Sequence, residues 1–368
     1  MKNKYDSSHP DQGYRDVSDL RSLLCLSSDE WEVLKKIQEQ FPMYINAYYA
    51  SQIDFSDPDD PLLKMAVPSV DEADKIGLSD TSGEFSNTVL PGLQHKYRET
   101  ALILSTNQCA MYCRHCFRRR MVGVSNREVA VNIEEIAAYI QEHKEISNVL
   151  ISGGDAFMNS TDTIRQYLSL LCEIPHLDCI RFGSRIPVVF PQRILQDSTL
   201  LDVLGAYSDR KKIYVVTQFN HPKEITAEST SAVEQLLNLG VPVRNQTVLL
   251  KGINDDAAVL GELLKQLTSI GVIPYYVFQC RPVTGVANHF QVPLRSGYEI
   301  VSAAMQMQSG LGKCFRYILS HETGKIEILG AVDEQFMLFK YHQAKRTCDA
   351  GRIFTSRVKE DQCWLDVE

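Results

Sequence analysis

Residues 100–120 read TALILSTNQCAMYCRHCFRRR, and the rest of the chain can be read outward from them. Thr100–Ser105 is a short apolar run of the kind that forms a buried strand. Thr106-Asn107-Gln108 then leads into Cys109-Ala-Met-Tyr-Cys113-Arg-His-Cys116, a C-x3-C-x2-C spacing on the loop that follows the strand. Further apolar runs lie at Asn148–Ser152, Cys179–Gly183, Ile213–Thr217, Val243–Leu249 and Pro274–Gln279, each bounded by Gly, Asn, Asp or Pro. Between them Ile133–His143, Asp162–Cys172, Ile225–Leu239 and Ala257–Ile270 carry apolar residues at helical period. Alternating strands and helices predict an α/β protein with a parallel sheet and right-handed crossovers, and a repeat of about 30 residues suits a barrel or partial barrel. A Rossmann sheet is the rival, but no G-x-G-x-x-G follows the first strand. In a barrel the chemistry sits at the C-terminal ends of the strands, where the cysteine loop falls.

Three segments follow from this reading. Residues 1–95 form a polar, helix-leaning extension, with Ser27-Ser28-Asp29-Glu30 before Trp31 as a helix start. Residues 96–310 form the barrel, and residues 311–368 a C-terminal segment. That last segment opens with a seventh strand-like run, Phe315–Leu319, continues into a loop, His321-Glu322-Thr323-Gly324-Lys325, and ends mixed and polar. A chain of 368 residues with 44% apolar residues can bury a sizeable core. The formal net charge of −8 speaks against a nucleic-acid binder, which needs a broad basic surface. No stretch approaches the roughly 20 apolar residues of a membrane helix. The start, Met1-Lys-Asn-Lys-Tyr-Asp6, lacks an apolar signal core, so a cytoplasmic protein is expected. There the ten cysteines are thiols or metal ligands. The seven scattered ones read as small buried apolar residues.

The three clustered cysteines need another account. A structural zinc site wants four closed ligands, usually in C-x2-C arms, and a ferredoxin cluster wants four thiolates. Three thiolates leave one iron of a cubane open to chelate a small ligand. A zinc site completed by His115, in a zinc-stapled binding protein, is the non-enzymatic alternative. The spacing on a strand-following loop resembles the signature of the radical S-adenosylmethionine (SAM) superfamily, in which the open iron holds the amino and carboxylate groups of SAM.

A closer resemblance runs from about Lys96 to Ile328. KYRETALILSTNQC, CAMYCRHCFRRR, NVLISGGDA, IRFGSRIPVVFPQRI, TQFNHPKEIT, VRNQTVLLKGIND, PYYVFQC and GKIEI are similar, in order, to segments of the lysine 2,3-aminomutases. The resemblance implies a partial (β/α)6 TIM-like radical SAM barrel. It also implies a [4Fe–4S] cluster, SAM and pyridoxal 5′-phosphate (PLP) as cofactors, and migration of an α-amino group to the β carbon of an amino acid. Cys109, Cys113 and Cys116 would hold the cluster. Gly153, Gly154 and Asp155 resemble the motif that holds the amino group of SAM. Arg118 matches an arginine near the SAM and substrate carboxylates, and Gln246 a residue at the SAM site. Lys325 would be the Schiff-base lysine for PLP, although Gly324 alone survives of the family's preceding glycine run. A small amino acid substrate, a reductant protein such as flavodoxin or ferredoxin, and a homo-oligomer are implied. The C-terminal cysteine group that binds structural zinc in some members is missing, which leaves the assembly open.

The sequence departs from the lysine-specific members where the substrate side chain is read. Arg281 follows Gln279-Cys280 in place of an aspartate, and Ile318 replaces a second. Two like unit charges ~4 Å apart cost about 4 kcal/mol at an effective dielectric near 20, close to a thousandfold in affinity. Free lysine is therefore not the expected substrate, and a side-chain carboxylate, as in glutamate, pairs well with Arg281. An outward-turned Arg281, with Ser320 or Glu322 reading the substrate, is the alternative. Thr100 stands where those members carry an arginine reaching toward phosphate, with Lys96 or Arg98 as substitutes. A PLP-free or protein-modifying radical SAM enzyme is the other functional alternative.

Overall fold

A computed structural model describes residues 13–366; the polar start at Met1–Asp6 lies outside the described residues. Twelve strands form one sheet in chain order, a new hydrogen-bonded neighbour being added at each step. They are β1 (Thr88–Leu90), β2 (Leu93–Tyr97), β3 (Thr100–Leu104), β4 (Asn148–Ser152), β5 (Cys179–Gly183) and β6 (Lys212–Thr217), followed by β7 (Val243–Leu249), β8 (Ile273–Gln279), β9 (Arg316–His321), β10 (Gly324–Ala331), β11 (Phe336–Ala344) and β12 (Ile353–Arg357). Strands β3 to β9 are parallel, each to the next. Antiparallel strands extend both flanks: β1 and β2 before β3, and β10 to β12 after β9.

Side chains alternate along each parallel strand. Ala101, Ile103, Val149, Ile151, Ile180 and Phe182 point outward into a buried layer beneath the helices. Thr100, Leu102, Leu150, Ser152, Arg181 and Gly183, the intervening residues, line an interior cavity. The outer layer is closed by α1 (Ser28–Gln40), α2 (Ile133–Glu142), α3 (Thr161–Cys172), α4 (Ser198–Ser208), α5 (Ala227–Asn238), α6 (Ala257–Ser269) and α7 (Leu294–Gln306) with shorter turns. Ile136, Ile140, Ile164 and Leu168 of α2 and α3 are fully buried, each worth about 1.5–3 kcal/mol. Helix starts are fixed locally: Asn132, Ser160, Asp197, Thr226 and Asp256 each accept a backbone N–H of the first turn, a cap typically worth about 1 kcal/mol. Ser27 and Glu30 form the expected capping box on α1.

The sheet curls until its two flanks meet. Lys96 Nζ on β2 donates to His321 O at the end of β9 at 2.7 Å, and Lys325 Nζ on β10 stands 4.9 Å from the centre of the Tyr97 ring. The result is an open barrel of seven parallel strands whose seam is bridged by side chains.

Three expectations need correction. The mixed, polar end of the chain is strand: it supplies β10, β11 and β12, along which more and less buried positions alternate. Lys325 is not in a loop but is the second residue of β10, because Glu322-Thr323 make a two-residue hairpin between β9 and Gly324. Gly324 has φ +158, and a Cβ there would stand 2.2 Å from Gln343 O, so glycine is required by the approach of β11. Cys25, Cys314 and Cys348 are exposed, not buried.

Candidate active site

The cavity inside the barrel has a volume of about 330 Å3, and it is lined by Cys109, Cys113, Cys116, Arg118, Gly153, Gly154, Asp155, Gln246, Arg281, Lys325 and Lys96 among the residues singled out from the sequence. Arg98 is exposed and outside it, and Ile318 is buried in the core away from it.

The cysteine loop leaves β3 and is held by the N-terminal extension. Tyr112 N donates to Tyr44 O, and Arg114 N to Met65 O, both at 2.9 Å. Glu72, buried, accepts from Arg114 Nη2 at 2.6 Å and Arg119 Nη2 at 2.5 Å. The two guanidiniums hold its carboxyl below the usual range against the opposing effect of burial. Arg119 also lies 3.7 Å from the centre of the Phe41 ring. The arginine run is thus not a solvated face. Arg118 Nε donates to Glu84 Oε1 at 2.8 Å, and Arg120 Nη2 to Glu84 Oε2 at 2.7 Å and Glu128 Oε2 at 2.6 Å. Arg118 turns Nη1 toward Ser152 Oγ, 3.3 Å away.

The turn after β4 locks this loop from the other side. Gly154 N donates to Thr106 O at 2.6 Å and Asp155 N to Gln108 O at 2.8 Å. Gly153 has φ +125, and a Cβ on Gly153 or Gly154 would come within 2.3 Å of Thr106 O or Gln108 O. These glycines are therefore demanded by the joining of two loops. Asp155 is engaged as well. Its carboxylate accepts from Ser184 Oγ (2.6 Å), Arg185 N (2.6 Å) and Phe157 N (3.0 Å), and burial raises its pKa to about 6.

Arg185 is a functional candidate that sequence reasoning passed over, and His115 one that it weighed only as a zinc ligand. Arg185 Nη1 donates to Cys113 Sγ at 2.7 Å while Nη2 pairs with buried Glu224, which also accepts from Tyr49 Oη at 2.9 Å. His115 is buried; Nε2 lies 2.9 Å from Gln218 Nε2 and 3.3 Å from Asn220 Nδ2, so it is the accepting nitrogen. Burial, then Arg185 and Arg119, lowers its pKa to about 3. Nδ1 is buried without a partner among the described residues. Its signal was available: a histidine flanked by two cluster cysteines.

The thiols fit a multi-iron group better than a single ion. All three face one cavity, and burial raises each pKa, that of Cys116 to about 11, so that binding a cation would release protons from them. A guanidinium already donates to one sulfur, the outer-shell support that thiolate-ligated clusters use. Among the described residues no three His, Cys, Asp or Glu side chains stand at the spacing that holds one metal ion.

The opposite end is built by β2, β5, β8, β9 and β10. Lys325 Nζ donates to Gln343 Oε1 at 2.6 Å and lies 5.6 Å from the centre of the Tyr276 ring. Burial, then Arg181, Lys96 and Arg281, lowers its pKa to about 7. Lys96 Nζ donates to Ser82 O and His321 O, and burial, then Arg281, lowers its pKa to about 7. Arg281 points inward: Nη2 donates to Ser320 Oγ at 2.6 Å, its guanidinium lies 4.1 Å from the centre of the Phe117 ring, and Nη1 is buried without a partner among the described residues. Burial lowers its pKa to about 10, which still leaves it charged at neutral pH.

A strand-following loop of three thiols at the mouth of an open parallel barrel defines a radical SAM protein, and the Radical SAM superfamily matches residues 103–263. That class implies a [4Fe–4S] cluster and SAM. Within it the chain belongs to the lysine 2,3-aminomutase family, whose members are isomerases. It is 40% identical over 352 residues to a protein of Aquifex aeolicus (strain VF5) provisionally named L-lysine 2,3-aminomutase, covering 95% of this chain and 94% of that one. It is 40% identical over 297 residues to L-lysine 2,3-aminomutase of Clostridium subterminale (80% and 70%). It is also 40% identical over 299 residues to glutamate 2,3-aminomutase of Clostridioides difficile (strain 630) (80% and 69%). No helix of the described residues is long and apolar enough to cross a membrane.

Proposed function

We propose that this protein is a PLP-dependent radical SAM 2,3-aminomutase acting on a small amino acid whose side chain is acidic rather than cationic. The observation that carries the reading is one cavity lined at one end by Cys109, Cys113 and Cys116 and at the other by Lys325 and Arg281. When bound, the cluster and SAM would supply a radical that removes a hydrogen atom, and PLP would supply a conjugated carbon–nitrogen π bond through which the amino group can migrate. The protein's own part is to hold, orient and dry these groups.

Cys109, Cys113 and Cys116 would ligate the cluster, with Arg185 compensating charge on Cys113. Gly153, Gly154, Asp155, Arg118 and Gln246 would receive SAM. Asp155, positioned by Ser184 and Arg185, keeps lone pairs for an ammonium. Lys325 suits attachment of an aldehyde cofactor because its amine is buried among cations and is deprotonated near neutral pH. Lys96 would lie beside that cofactor's anionic part. Arg281, with an unused buried donor, would take a side-chain carboxylate bidentately. A reductant such as flavodoxin or ferredoxin, a cytoplasmic location and a homo-oligomer accompany this reading.

The test is anaerobic reconstitution with iron, sulfide, SAM, PLP and reductant, followed by β-amino product detection across a panel of amino acids. Glutamate should be turned over well ahead of lysine. Arg281→Asp should reverse that order, by up to about a thousandfold on the like-charge argument. Faster turnover of lysine by the unaltered protein would refute the acidic substrate.

A further inference from the structure

One wall of the cavity is supplied by the N-terminal extension and has no role in the reading above. Ser82, Glu84 and Asn87 line it, with Gln94 and Lys96 of β2 beside them. Gln94 and Lys96 are two residues apart on one strand and share a face. Lys96 Nζ donates to Ser82 O at 3.2 Å, and Asn87 Nδ2 donates to the same carbonyl at 3.3 Å. The wall lies toward the mouth, since Glu84 holds Arg118 of the cysteine loop and Lys96 reaches His321 O at the end of β9. Ser82, Asn87 and Gln94 are only 7%, 4% and 6% exposed. Even so, Ser82 Oγ, Asn87 Oδ1 and Gln94 Nε2 are buried with no partner among the described residues. A buried polar atom left unpaired is costly, and three on one cavity wall mark a place that a polar ligand completes.

The three atoms differ in what they ask of that ligand. Asn87 Oδ1 only accepts, Gln94 Nε2 only donates, and Ser82 Oγ does either. A carboxylate has no hydrogen to give Asn87, and an ammonium has no lone pair for Gln94. A carboxamide meets both within one planar group. Charge points the same way. Glu84 stands on this wall with its two oxygens already shared between Arg118 and Arg120, so a carboxylate entering beside it meets a like charge. Lys96 is engaged with two carbonyls. Arg281 keeps a buried donor without a partner among the described residues, which serves one carboxylate and not two. A free amino acid with an acidic side chain brings two; amidation of its α-carboxyl leaves one.

We propose that Ser82, Asn87 and Gln94 form a subsite for a neutral carboxamide at the α-carboxyl of the substrate, as in an amino acid α-amide or the first residue of a peptide. This rests on the acidic side-chain reading given under Proposed function and narrows it. The substrate amide would donate to Asn87 Oδ1 and accept from Gln94 Nε2, with Ser82 Oγ completing either bond. The side-chain carboxylate would go to Arg281, and the α-amino group stays free. Discrimination at such a site is steep, because a ligand that lacks the matching donor leaves a buried acceptor unpaired.

The test is calorimetric titration of the reconstituted protein with four ligands: glutamate, glutamate α-amide, glutamine and the dipeptide α-glutamylglycine. The unaltered protein should bind the α-amide at least about tenfold more tightly than glutamate. Gln94→Met, which keeps the bulk and removes the donor, should bring that amide-to-acid ratio close to one. Ser82→Ala, a smaller change that guards against a fold defect in the first variant, should lower the ratio severalfold. Dipeptide binding as tight as the α-amide names a peptide N-terminus as the source of the amide, and exclusion of the dipeptide names the free α-amide; both sustain the subsite. A ratio at or below one in the unaltered protein overturns the subsite while glutamate binding leaves the Arg281 reading intact. A high ratio that survives in both variants overturns the assignment to these residues. Tightest binding by glutamine, or binding of neither glutamate nor its α-amide, overturns the acidic side-chain reading and the subsite together.

Discussion

The two ends of the cavity are charged alike and satisfied differently. At the cysteine end Arg114, Arg118, Arg119, Arg120 and Arg185 are all matched by buried or half-buried carboxylates: Glu72, Glu84, Glu128 and Glu224. At the lysine end Lys96, Arg181, Arg281 and Lys325 form no salt bridge to a carboxylate among the described residues, and carbonyls, two side-chain amides and a hydroxyl take what few bonds they make. A satisfied buried ion pair is expensive to break and contributes rigidity of place. An unsatisfied buried cation is expensive to keep and persists where a ligand completes it. One end therefore reads as scaffold for a group held by the thiols, the other as a receptor for anions.

The largest effect that could break this contrast is loss of the trio itself. Cys113→Ala removes one ligand and the acceptor of Arg185 Nη1. Iron and sulfide content after anaerobic reconstitution should fall to background, and deoxyadenosine formation from SAM with it. A variant that keeps iron, sulfide and deoxyadenosine formation would show that the loop is not the cluster site.

Next comes the scaffold. Glu72→Gln leaves Arg114 and Arg119 buried with no counter-charge, a change that typically costs about 3–5 kcal/mol. Denaturant unfolding should show that loss. Arg281→Met at the receptor end should cost little or even stabilise, because it removes an uncompensated charge. Equal losses at both positions would erase the distinction between the ends.

Much of this was legible in the residues. The parallel strands declared themselves because each is short, apolar and bounded by turn residues, and the cysteine loop falls where the first of them ends. The C-terminal hairpins were not legible, because β10 to β12 alternate polar and apolar residues on a partly exposed flank and read as mixed. Helix α7 was missed because Pro293 and Gly297 break the expected signals; the structure uses Gly297 to admit Tyr317, whose Oη would lie 2.3 Å from a Cβ there. At the site, residue types found by motif all reached the cavity. What the linear text could not show was pairing: that Arg118 to Arg120 are neutralised from the extension at Glu72 and Glu84, or that Arg181 and Arg281 bond instead to the neutral side chains of Asn148 and Ser320. Arg181 carried a signal, a charge in the middle of a buried strand, that only a period-two reading of CIRFG would have turned inward.

The smallest effect sharpens the receptor end. Lys325 has a pKa lowered from 10.5 to about 7, burial being the largest cause and Arg181, Lys96 and Arg281 adding to it. Capture of an aldehyde needs the neutral amine. For a group whose pKa falls on folding, the neutral fraction rises with pH and saturates above the folded value. Uptake rate should therefore climb about tenfold per unit below neutrality, bend near pH 7, and stay flat to pH 9. With an unshifted lysine the climb would continue through pH 9. Arg181→Gln removes the cation with the largest influence on the amine, so the bend should move to higher pH, and more than it does in Lys96→Gln. Stopped-flow absorbance across this range reads the bend directly. A bend that ignores both variants would mean that burial alone sets the amine, and that the cations at this end serve the ligand and not the lysine.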